Sequence, residues 1–228
     1  MGKKIAIYGA GTIGACQATL TSGNGYSTVV IGHSEEGLSR CRNTMLQNWN
    51  DLIAQKLATA ANRRAAMDLV TITNDVSALR DCDIVFEAVS EDVNIKQRVY
   101  SIITEVCGRD IIVVSTTSSI DAAILAEKIE NPARFLIAHP FQPVHMLPLV
   151  EVVRHTETSE ETLNQVCTLL KDLNRQVVML NRSVPGFLVN RFAQALFRES
   201  IYLIEQGITT AADIDRAIKY AVGMRYAS

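Results

Sequence analysis

The fold is decided by the stretch Lys4-Ile5-Ala6-Ile7-Tyr8-Gly9-Ala10-Gly11-Thr12-Ile13-Gly14, in which an apolar strand signal runs into G-x-G-x-x-G and then a helix-compatible segment. Gly9 allows the tight turn, Gly11 lets the backbone approach a pyrophosphate, and Gly14 lets the helix pack against the strand. Thr12 and Ile13 complete the turn at the positive N-terminus of that helix, where a diphosphate binds well. The stretch predicts the start of a dinucleotide-binding βαβ unit; the alternative is a glycine-rich turn that binds nothing.

A second apolar strand follows from Ser27 to Gly32, and its end differs from the usual dinucleotide-binding pattern. That pattern places an Asp or Glu here to hydrogen-bond the adenosine ribose of NAD. This chain has His33 and Ser34 instead, which can also hydrogen-bond the 2′-phosphate of NADP. NAD is the first choice of cofactor and NADP the second, and His33 is a candidate cofactor contact. The alternative is that His33 is a solvated turn residue.

Composition excludes several classes of protein. With 228 residues and 48% hydrophobic residues, the chain can bury one large core, or one core and a small second domain. A net charge of −2 without long charged runs argues against nucleic acid or a membrane surface as the partner. The five cysteines are scattered, so we expect reduced thiols rather than a metal site or disulfides. No stretch resembles a secretory signal or a membrane span, and we expect a cytoplasmic protein.

Apolar runs alternate with helical patterns along most of the chain. Strands are predicted near residues 4–8 and 27–32, and at 70–73, 83–88, 111–115, 135–138, 149–153 and 176–180. Helical patterns separate most of them, at 36–55, 58–68, 94–107, 121–129 and 160–173. Strands that are apolar throughout are typical of a parallel sheet covered on both faces. We therefore predict an α/β fold: a Rossmann-type, doubly wound, mostly parallel sheet of eight strands, forming a domain over residues 1–183.

A small all-helical domain is predicted over residues 184–228, after the break at Pro185-Gly186. One helix covers 187–205 and ends near Gly207, and a second covers 211–220. Their apolar residues exceed what two helices bury on each other, so they must pack on the sheet domain, on further residues or on another subunit. They include Phe187, Phe192, Leu196, Phe197, Ile201, Leu203 and Ile204. Because Ser228 follows no polar tail, we expect this domain to be incomplete, and we expect a homodimer built on these helices.

Two segments carry candidate catalytic residues. The first is a strand that runs into five hydroxyl residues, Ser115 to Ser119, at the sheet edge where ligands bind in such folds. The hydroxyl run can equally be a helix cap.

In the second segment, His139 ends one strand and Glu151 lies inside the next apolar run. A buried carboxylate needs a partner. If the two strands lie side by side, Glu151 orients His139 and stabilises its protonated form, a dyad suited to removing a proton from an alcohol. The alternative is a solvent-facing Glu and a capping His.

Five motifs together resemble the L-3-hydroxyacyl-CoA dehydrogenase family, in order and in spacing across essentially the whole chain. They are the G-x-G-x-x-G turn, Glu87-Ala88-Val89-Ser90-Glu91, the hydroxyl run, the block from His139-Pro140-Phe141 to Leu149-Val150-Glu151, and Pro185-Gly186-Phe187-Leu188-Val189-Asn190-Arg191. His139-Pro140, Leu147-Pro148 and the segment 223–227 look more like the branch that contains lambda-crystallin, L-gulonate 3-dehydrogenase and L-carnitine dehydrogenase. The resemblance fixes the reaction type more closely than the substrate.

The resemblance also implies roles for particular residues. It makes His139 the general base and Glu151 its orienting partner, while Ser118 and Asn190 hydrogen-bond the substrate oxygen. It places Glu91 and Lys96 beside the nicotinamide half and ribose of the cofactor, and Ala88 against the cofactor through its backbone. Glu91 can equally be an ordinary carboxylate at a helix start. It further implies a helical domain that dimerises and closes the substrate cleft.

Three hypotheses for the function follow. The first is an NAD-linked dehydrogenase that interconverts an L-3-hydroxyacyl-CoA and its 3-oxo form, a reaction of fatty acid metabolism. The second is the same chemistry on a small 3-hydroxy acid of the L-gulonate or carnitine type. The third is a lambda-crystallin-like, dinucleotide-binding protein without efficient turnover. The joint presence of Ser118, His139, Glu151 and Asn190 argues against the third, since a purely structural protein needs none of them around one crevice.

Overall fold

The structure of this chain, a computed structural model, describes residues 3–226. They form two compact units, one ending at Pro185 and one starting at Gly186. The chain end at Ser228, and Ala227 of the 223–227 segment, lie outside the described residues.

The first unit is built on one eight-stranded sheet with the order β3-β2-β1-β4-β5-β6-β7-β8. The first six strands are parallel to one another, β7 is antiparallel to β6, and β8 is parallel to β7. The strands are β1 (Lys4–Tyr8), β2 (Ser27–Ile31), β3 (Val70–Thr73), β4 (Ile84–Glu87), β5 (Ile112–Ser115), β6 (Phe135–Pro140), β7 (Leu149–Arg154) and β8 (Gln176–Leu180). The predicted fold class, a mostly parallel doubly wound sheet, is confirmed.

Six α-helices connect these strands. They are α1 (Thr12–Gly23), α2 (Glu35–Ala54), α3 (Ala60–Asp68), α4 (Val93–Cys107), α5 (Ala122–Ala126) and α6 (Glu160–Asp172). Short 3₁₀ turns lie at Val76–Leu79 and Pro132–Arg134. The helix predicted over 121–129 is shorter in the structure. It begins after Asp121, its N-cap, with a carboxylate that accepts a hydrogen bond from the Ala123 N–H at 2.8 Å, and it ends at Ala126.

The central strands explain why the sequence folds this way. Every residue of β4, β5 and β6 is buried. Since successive side chains point to opposite faces of a sheet, both faces are covered. Apolar, mostly β-branched runs suit such strands, and the helices on both faces supply the rest of the core. This arrangement brings the carboxyl ends of β1, β2, β4, β5 and β6 to one edge of the sheet.

The second unit is helical, as predicted. It contains α7 (Val189–Glu205), α8 (Ala211–Ala217), a π-helical turn (Ile218–Val222) and α9 (Gly223–Tyr226). Gly207, with a φ of +65°, follows the end of α7 in the left-handed conformation that glycine adopts readily. Of the apolar residues predicted to need a packing partner, Phe187 is buried, at 1% exposure. None of the helices within residues 3–226 has the length and apolar character needed to cross a membrane.

Candidate active site

The turn between β1 and α1 has the glycine geometry that a dinucleotide needs. Gly9 has a φ of +132°, and a Cβ there would lie 2.3 Å from the Ala88 carbonyl oxygen at the end of β4. A Cβ on Gly14 would lie 1.8 Å from the Gly9 carbonyl oxygen, so only glycine lets α1 start this close to the turn. Gly11 is different, since a Cβ there meets no atom of the described residues within 4 Å. The space beside Gly11 is therefore open, as expected if a ligand approaches the backbone there.

The start of α1 fits the diphosphate of a dinucleotide. Gly11 is the N-cap and has no side chain to bond the first N–H groups of the helix, and the first turn contains no acidic residue. These N–H groups, including those of Thr12 and Ile13, supply the donors and partial positive charge that bind phosphate at helix N-termini. Ala88 lies beside this turn, with its N–H donating to the Tyr8 carbonyl oxygen at 2.8 Å.

His33 lies exposed just beyond the end of β2, at the position where related folds have an acidic residue. The neighbouring Ser34 caps α2, and its hydroxyl accepts a hydrogen bond from the Gly37 N–H at 3.2 Å. The nearby cation Arg40 pairs with Glu36 on the same helix. The structure thus offers the imidazole of His33, rather than a carboxylate, at the place expected for the adenosine ribose.

Glu87, for which the sequence suggested no role, is a fully buried carboxylate at this edge of the sheet. It ends β4 with 0% exposure. One oxygen accepts hydrogen bonds from the Lys96 ammonium at 2.8 Å and the Val89 N–H at 2.9 Å. The other accepts from the hydroxyls of Tyr100 and Ser115, each at 2.8 Å. Burial, and next the charge of Glu87, raise the pKa of the Tyr100 hydroxyl, which stays a donor. An acidic residue ending an apolar run, as Glu87 does, was the signal that could have revealed it.

Lys96 is buried in α4, at 1% exposure, and links two carboxylates. Besides Glu87, its ammonium contacts Glu91 at 3.2 Å and the Val89 carbonyl oxygen at 3.4 Å. These three contacts use all three donors of a lysine. In this structure the ammonium of Lys96 is therefore occupied by protein groups, of which Glu91 is the more exposed carboxylate.

Glu91 connects this buried charge to the hydroxyl run. One of its oxygens accepts from the Thr117 hydroxyl at 2.5 Å and the Ser118 N–H at 2.9 Å, and it lies 3.3 Å from the Ser118 hydroxyl. Burial raises the pKa of Glu91, but the Thr117 hydroxyl, the Lys96 charge and the Ser118 N–H outweigh it, and the pKa is lowered overall. Glu91 is thus held ionised, and it ties the Ser118 loop to the end of β4.

His139 and Glu151 form a direct contact in the first unit. They are opposite each other in the antiparallel pair of β6 and β7. The His139 Nδ1 lies 2.8 Å from a Glu151 oxygen, and the two residues are 6% and 0% exposed. Phe141 packs edge-on against the imidazole with ring centroids 4.7 Å apart, which further fixes the ring. Since an ionised carboxylate only accepts hydrogen bonds, it favours the proton on Nδ1 and leaves the lone pair on Nε2.

Topology brings His139 and the Ser118 loop to the same sheet edge. Ser115 at the end of β5 pairs with Ile137 of β6, so the residues that follow each extend beyond the edge side by side. Gly9 and Ala88 lie at the same edge, at the ends of β1 and β4. The first unit therefore assembles a dinucleotide turn, a hydroxyl loop and a buried His-Glu pair, whereas Asn190 belongs to the second unit, at the start of α7.

His145 is a partly buried histidine outside the His139–Glu151 pair. It lies in the loop between β6 and β7, but both of its ring nitrogens are buried, with no hydrogen-bond partner among the described residues. The neighbouring Val144 sits in the core at 1% exposure, which draws the loop inward. Burial lowers the pKa of His145, and Arg175 acts in the same direction against the opposing charge of Asp51.

Comparisons with known proteins agree with this geometry. Residues 4–183 match the family model of the "3-hydroxyacyl-CoA dehydrogenase, NAD binding domain", and residues 186–228 match that of the C-terminal domain. The chain is 32% identical to L-carnitine dehydrogenase of Bacillus cereus over 99% of this chain and 68% of that protein. It is 29% identical to 3-hydroxybutyryl-CoA dehydrogenase of Clostridioides difficile over 95% of this chain and 76% of that protein. The crystal structure of M. tuberculosis FadB2 superposes with a TM-score of 0.91 at 29% identity, covering 97% of this chain and 78% of that one.

Proposed function

This chain belongs to the 3-hydroxyacyl-CoA dehydrogenase family, as an NAD-dependent oxidoreductase of that type, and we propose that it interconverts an L-3-hydroxyacyl compound and its 3-oxo form with His139 as the general base. The observation that carries the proposal is the buried pair of His139 and Glu151, with 2.8 Å between Nδ1 and the carboxylate, at the sheet edge that also holds the dinucleotide turn.

His139 takes the proton of the substrate hydroxyl on Nε2. The Nδ1–H of the ring donates a hydrogen bond to Glu151, so the neutral ring has its lone pair on Nε2. As the proton arrives, the ring becomes positively charged, and the carboxylate 2.8 Å away stabilises this charge. Because Glu151 is 0% exposed, little water screens the interaction. In the reverse direction the same imidazolium returns the proton to the 3-oxo group.

Ser118 and Asn190 are proposed to hydrogen-bond the substrate oxygen at the reacting carbon. The loop of Ser118 follows β5, next to the strand that carries His139, which supports this role for its hydroxyl. Asn190 is assigned through the family resemblance, and Asn190→Ala tests it separately. A donor to this oxygen stabilises the negative charge that develops there, and removing one such donor typically costs about 10²- to 10³-fold in kcat.

NAD supplies the hydride acceptor when it is bound. We propose that Gly9, Gly11, Thr12, Ile13 and Gly14 hold its diphosphate through the first N–H groups of α1, and that the Ala88 backbone adjoins it. His33 is proposed to face the adenosine ribose. Glu91 is proposed to face the nicotinamide half, with Lys96 acting through it.

The carrier of the hydroxyacyl group has two candidates. An acyl-CoA thioester is favoured by the family description and by the relative from Clostridioides difficile, named for a hydroxybutyryl-CoA substrate. A small 3-hydroxy acid is favoured by the relative from Bacillus cereus, which is named for L-carnitine. The match to this relative covers 99% of the present chain. We put the acyl-CoA first, and the His139 chemistry is the same for both.

A substrate panel tests the function. Absorbance at 340 nm is followed with acetoacetyl-CoA and NADH, and then with L-carnitine or L-gulonate and NAD. Turnover with acetoacetyl-CoA that is lost in His139→Gln supports the first candidate. Turnover only with a small acid selects the second. If the protein binds NADH but turns over no member of the panel, the proposed reaction is wrong and the dinucleotide-binding alternative stands.

We further propose that α7 and α8 pack against a second copy of the chain. Several large apolar side chains of α7 are exposed: Phe192 60%, Leu196 48%, Phe197 60%, Ile201 39% and Ile204 41%. Each such side chain gains about 1.5 to 3 kcal/mol when it is fully buried. Light scattering at micromolar concentration is expected to give twice the monomer mass, and Phe197→Glu is expected to give the monomer mass. A wild-type monomer contradicts the proposal.

A further inference from the structure

Two carboxylates share one buried ammonium in the first unit. The Lys96 ammonium lies 2.8 Å from Glu87 and 3.2 Å from Glu91. Glu87 and Lys96 are 0% and 1% exposed, whereas the side chain of Glu91 is 37% exposed. The series therefore runs from a buried carboxylate, through a buried ammonium, to a carboxylate at the surface of the site.

The inner end of this series is rigid. Glu87 ends β4, a central strand, and accepts four hydrogen bonds from groups on β5, α4 and the Val89 backbone. The outer end contacts the loop that follows β5. Thr116 also ties this loop to β4, since its N–H and its hydroxyl donate to the Glu87 carbonyl oxygen at 3.0 Å and 2.9 Å. Ser118 belongs to a loop without regular structure, and its N–H and its hydroxyl both face the same Glu91 oxygen. What holds this loop to the sheet includes the contacts made by Glu91.

We propose that Glu87 is a positioning residue, which sets the place of the Ser118 loop through Lys96 and Glu91. The inference rests on the proposed function insofar as Ser118 is there assigned to the substrate oxygen. Glu87 contacts none of the reacting atoms in this assignment. A second, shorter route to the loop supports the same role, because the Ser115 hydroxyl donates to Glu87 at 2.8 Å and accepts from the Thr117 N–H at 3.3 Å.

Charge explains why the inner carboxylate is needed. A buried ammonium is costly unless it is paired, and Glu87 is the nearer and more buried of its two partners. Without the charge of Glu87, Lys96 has a single carboxylate left, Glu91, and is free to move toward it and toward water. Either movement shifts Glu91, whose other oxygen holds Thr117 and Ser118.

Glu87→Gln is the variant that tests this, because it removes the charge and keeps the shape. The hydroxyls of Tyr100 and Ser115 can turn to accept hydrogen bonds from the amide, while its oxygen still accepts from Lys96 and Val89. The first readout is hydrogen exchange of the Ser118 amide, which does not depend on any reaction. We expect exchange of this amide to accelerate by about tenfold or more.

The second readout is a double-mutant cycle on kcat between Glu87→Gln and Ser118→Ala. A displacement of about 1 Å at a reacting group can cost about 10²-fold, so we expect Glu87→Gln alone to lower kcat by about 5- to 10²-fold. In the Ser118→Ala background we expect the same change to have less than about a twofold further effect. If instead the two substitutions lower kcat by factors that multiply in the double variant, Glu87→Gln acts by a general loss of stability of the fold.

Thr28→Val is the matched control. Thr28 is 0% exposed in β2, and its hydroxyl lies 2.9 Å from that of Thr21, far in sequence from β4 and β5. Loss of the Thr28 hydroxyl destabilises the same unit. We expect Thr28→Val to leave the exchange rate of the Ser118 amide and kcat within about twofold of wild type.

The outcomes separate this inference from the proposed function. Unchanged exchange of the Ser118 amide in Glu87→Gln overturns the inference, whatever the activities are. The inference is also overturned if the effects of Glu87→Gln and Ser118→Ala on kcat multiply. It is overturned as well if Thr28→Val accelerates exchange of the Ser118 amide as much as Glu87→Gln does. Accelerated exchange combined with a wild-type kcat for Ser118→Ala supports Glu87 as the anchor of the loop and removes Ser118 from the proposed reaction.

Discussion

Glu151→Gln tests the mechanism at its most specific point. The substitution keeps the size of the side chain and a hydrogen-bonding oxygen within reach of His139, 2.8 Å away in the structure. It removes the negative charge opposite the ring. An amide can also offer its NH₂ group to Nδ1, which places the ring proton on Nε2, where it blocks proton abstraction.

The size of the effect follows from the geometry. The centres of the two delocalised charges are about 4 Å apart, a separation at which unit charges interact by about 4 kcal/mol at an effective dielectric constant of about 20. With about half of the proton transferred in the transition state, the lost stabilisation is about 2 kcal/mol, or about 30-fold in kcat. The unfavourable tautomer adds to this, so we expect kcat to fall by about 30- to 10³-fold.

The assay is kcat against pH, followed at 340 nm with the best substrate of the panel. The dissociation constant of NADH, measured by fluorescence, shows whether the site is still folded, and we expect it to stay within about threefold of wild type. Glu157→Gln, the same change at an exposed position after β7, is the control. A kcat within about threefold of wild type, with an unchanged pH profile, refutes the assignment of Glu151 as the stabilising partner.

Three further predictions concern histidines. His139→Gln is expected to lower kcat by at least about 10²-fold while NADH still binds, since general base catalysis typically contributes about 10² to 10⁴; near-wild-type turnover removes His139 from the mechanism. His33→Asp is expected to raise the preference for NAD over NADP, measured as the ratio of kcat/KM, because a carboxylate bonds the ribose hydroxyls and repels a 2′-phosphate; an unaltered ratio shows that position 33 does not contact the ribose. Burial lowers the pKa of His145, so below the unfolded value of 6.5 the unfolded chain binds the proton more readily, and stability is lost as pH falls through that value toward the lowered folded pKa. His145→Phe is therefore expected to show a smaller fall in Tm between pH 7 and pH 5 than wild type, and equal falls contradict the burial argument.

Much of the fold could be predicted because its signals are local. The apolar run before Gly9 and the spacing of Gly9, Gly11 and Gly14 specify a strand, a turn and a helix within a few residues of one another. Pairing of His139 with Glu151 could be anticipated as well, since a carboxylate inside an apolar run requires a partner and the chain offers a histidine 12 residues earlier.

The network around Glu87 could not be predicted in the same way. Its four donors come from the backbone of Val89, from Lys96 and Tyr100 on α4, and from Ser115, 28 residues away on β5. The sequence suggested Lys96 as a residue beside the cofactor, whereas the structure buries its ammonium between two carboxylates. Likewise, nothing in the residues around His145 indicates that its ring nitrogens are buried.

The amino-acid sequence by itself determined which segments become strands and helices, where the phosphate-binding turn lies and which side chains are costly to bury alone. These properties depend on the periodicity, size and polarity of neighbouring residues, which a single chain segment carries in full. Only the tertiary structure decided which polar groups meet, because a hydrogen bond 2.8 Å long depends on strand order, register and helix placement together. That is why the series from Glu87 through Lys96 and Glu91 to Ser118 emerged from the packing of β4, β5 and α4 rather than from any motif.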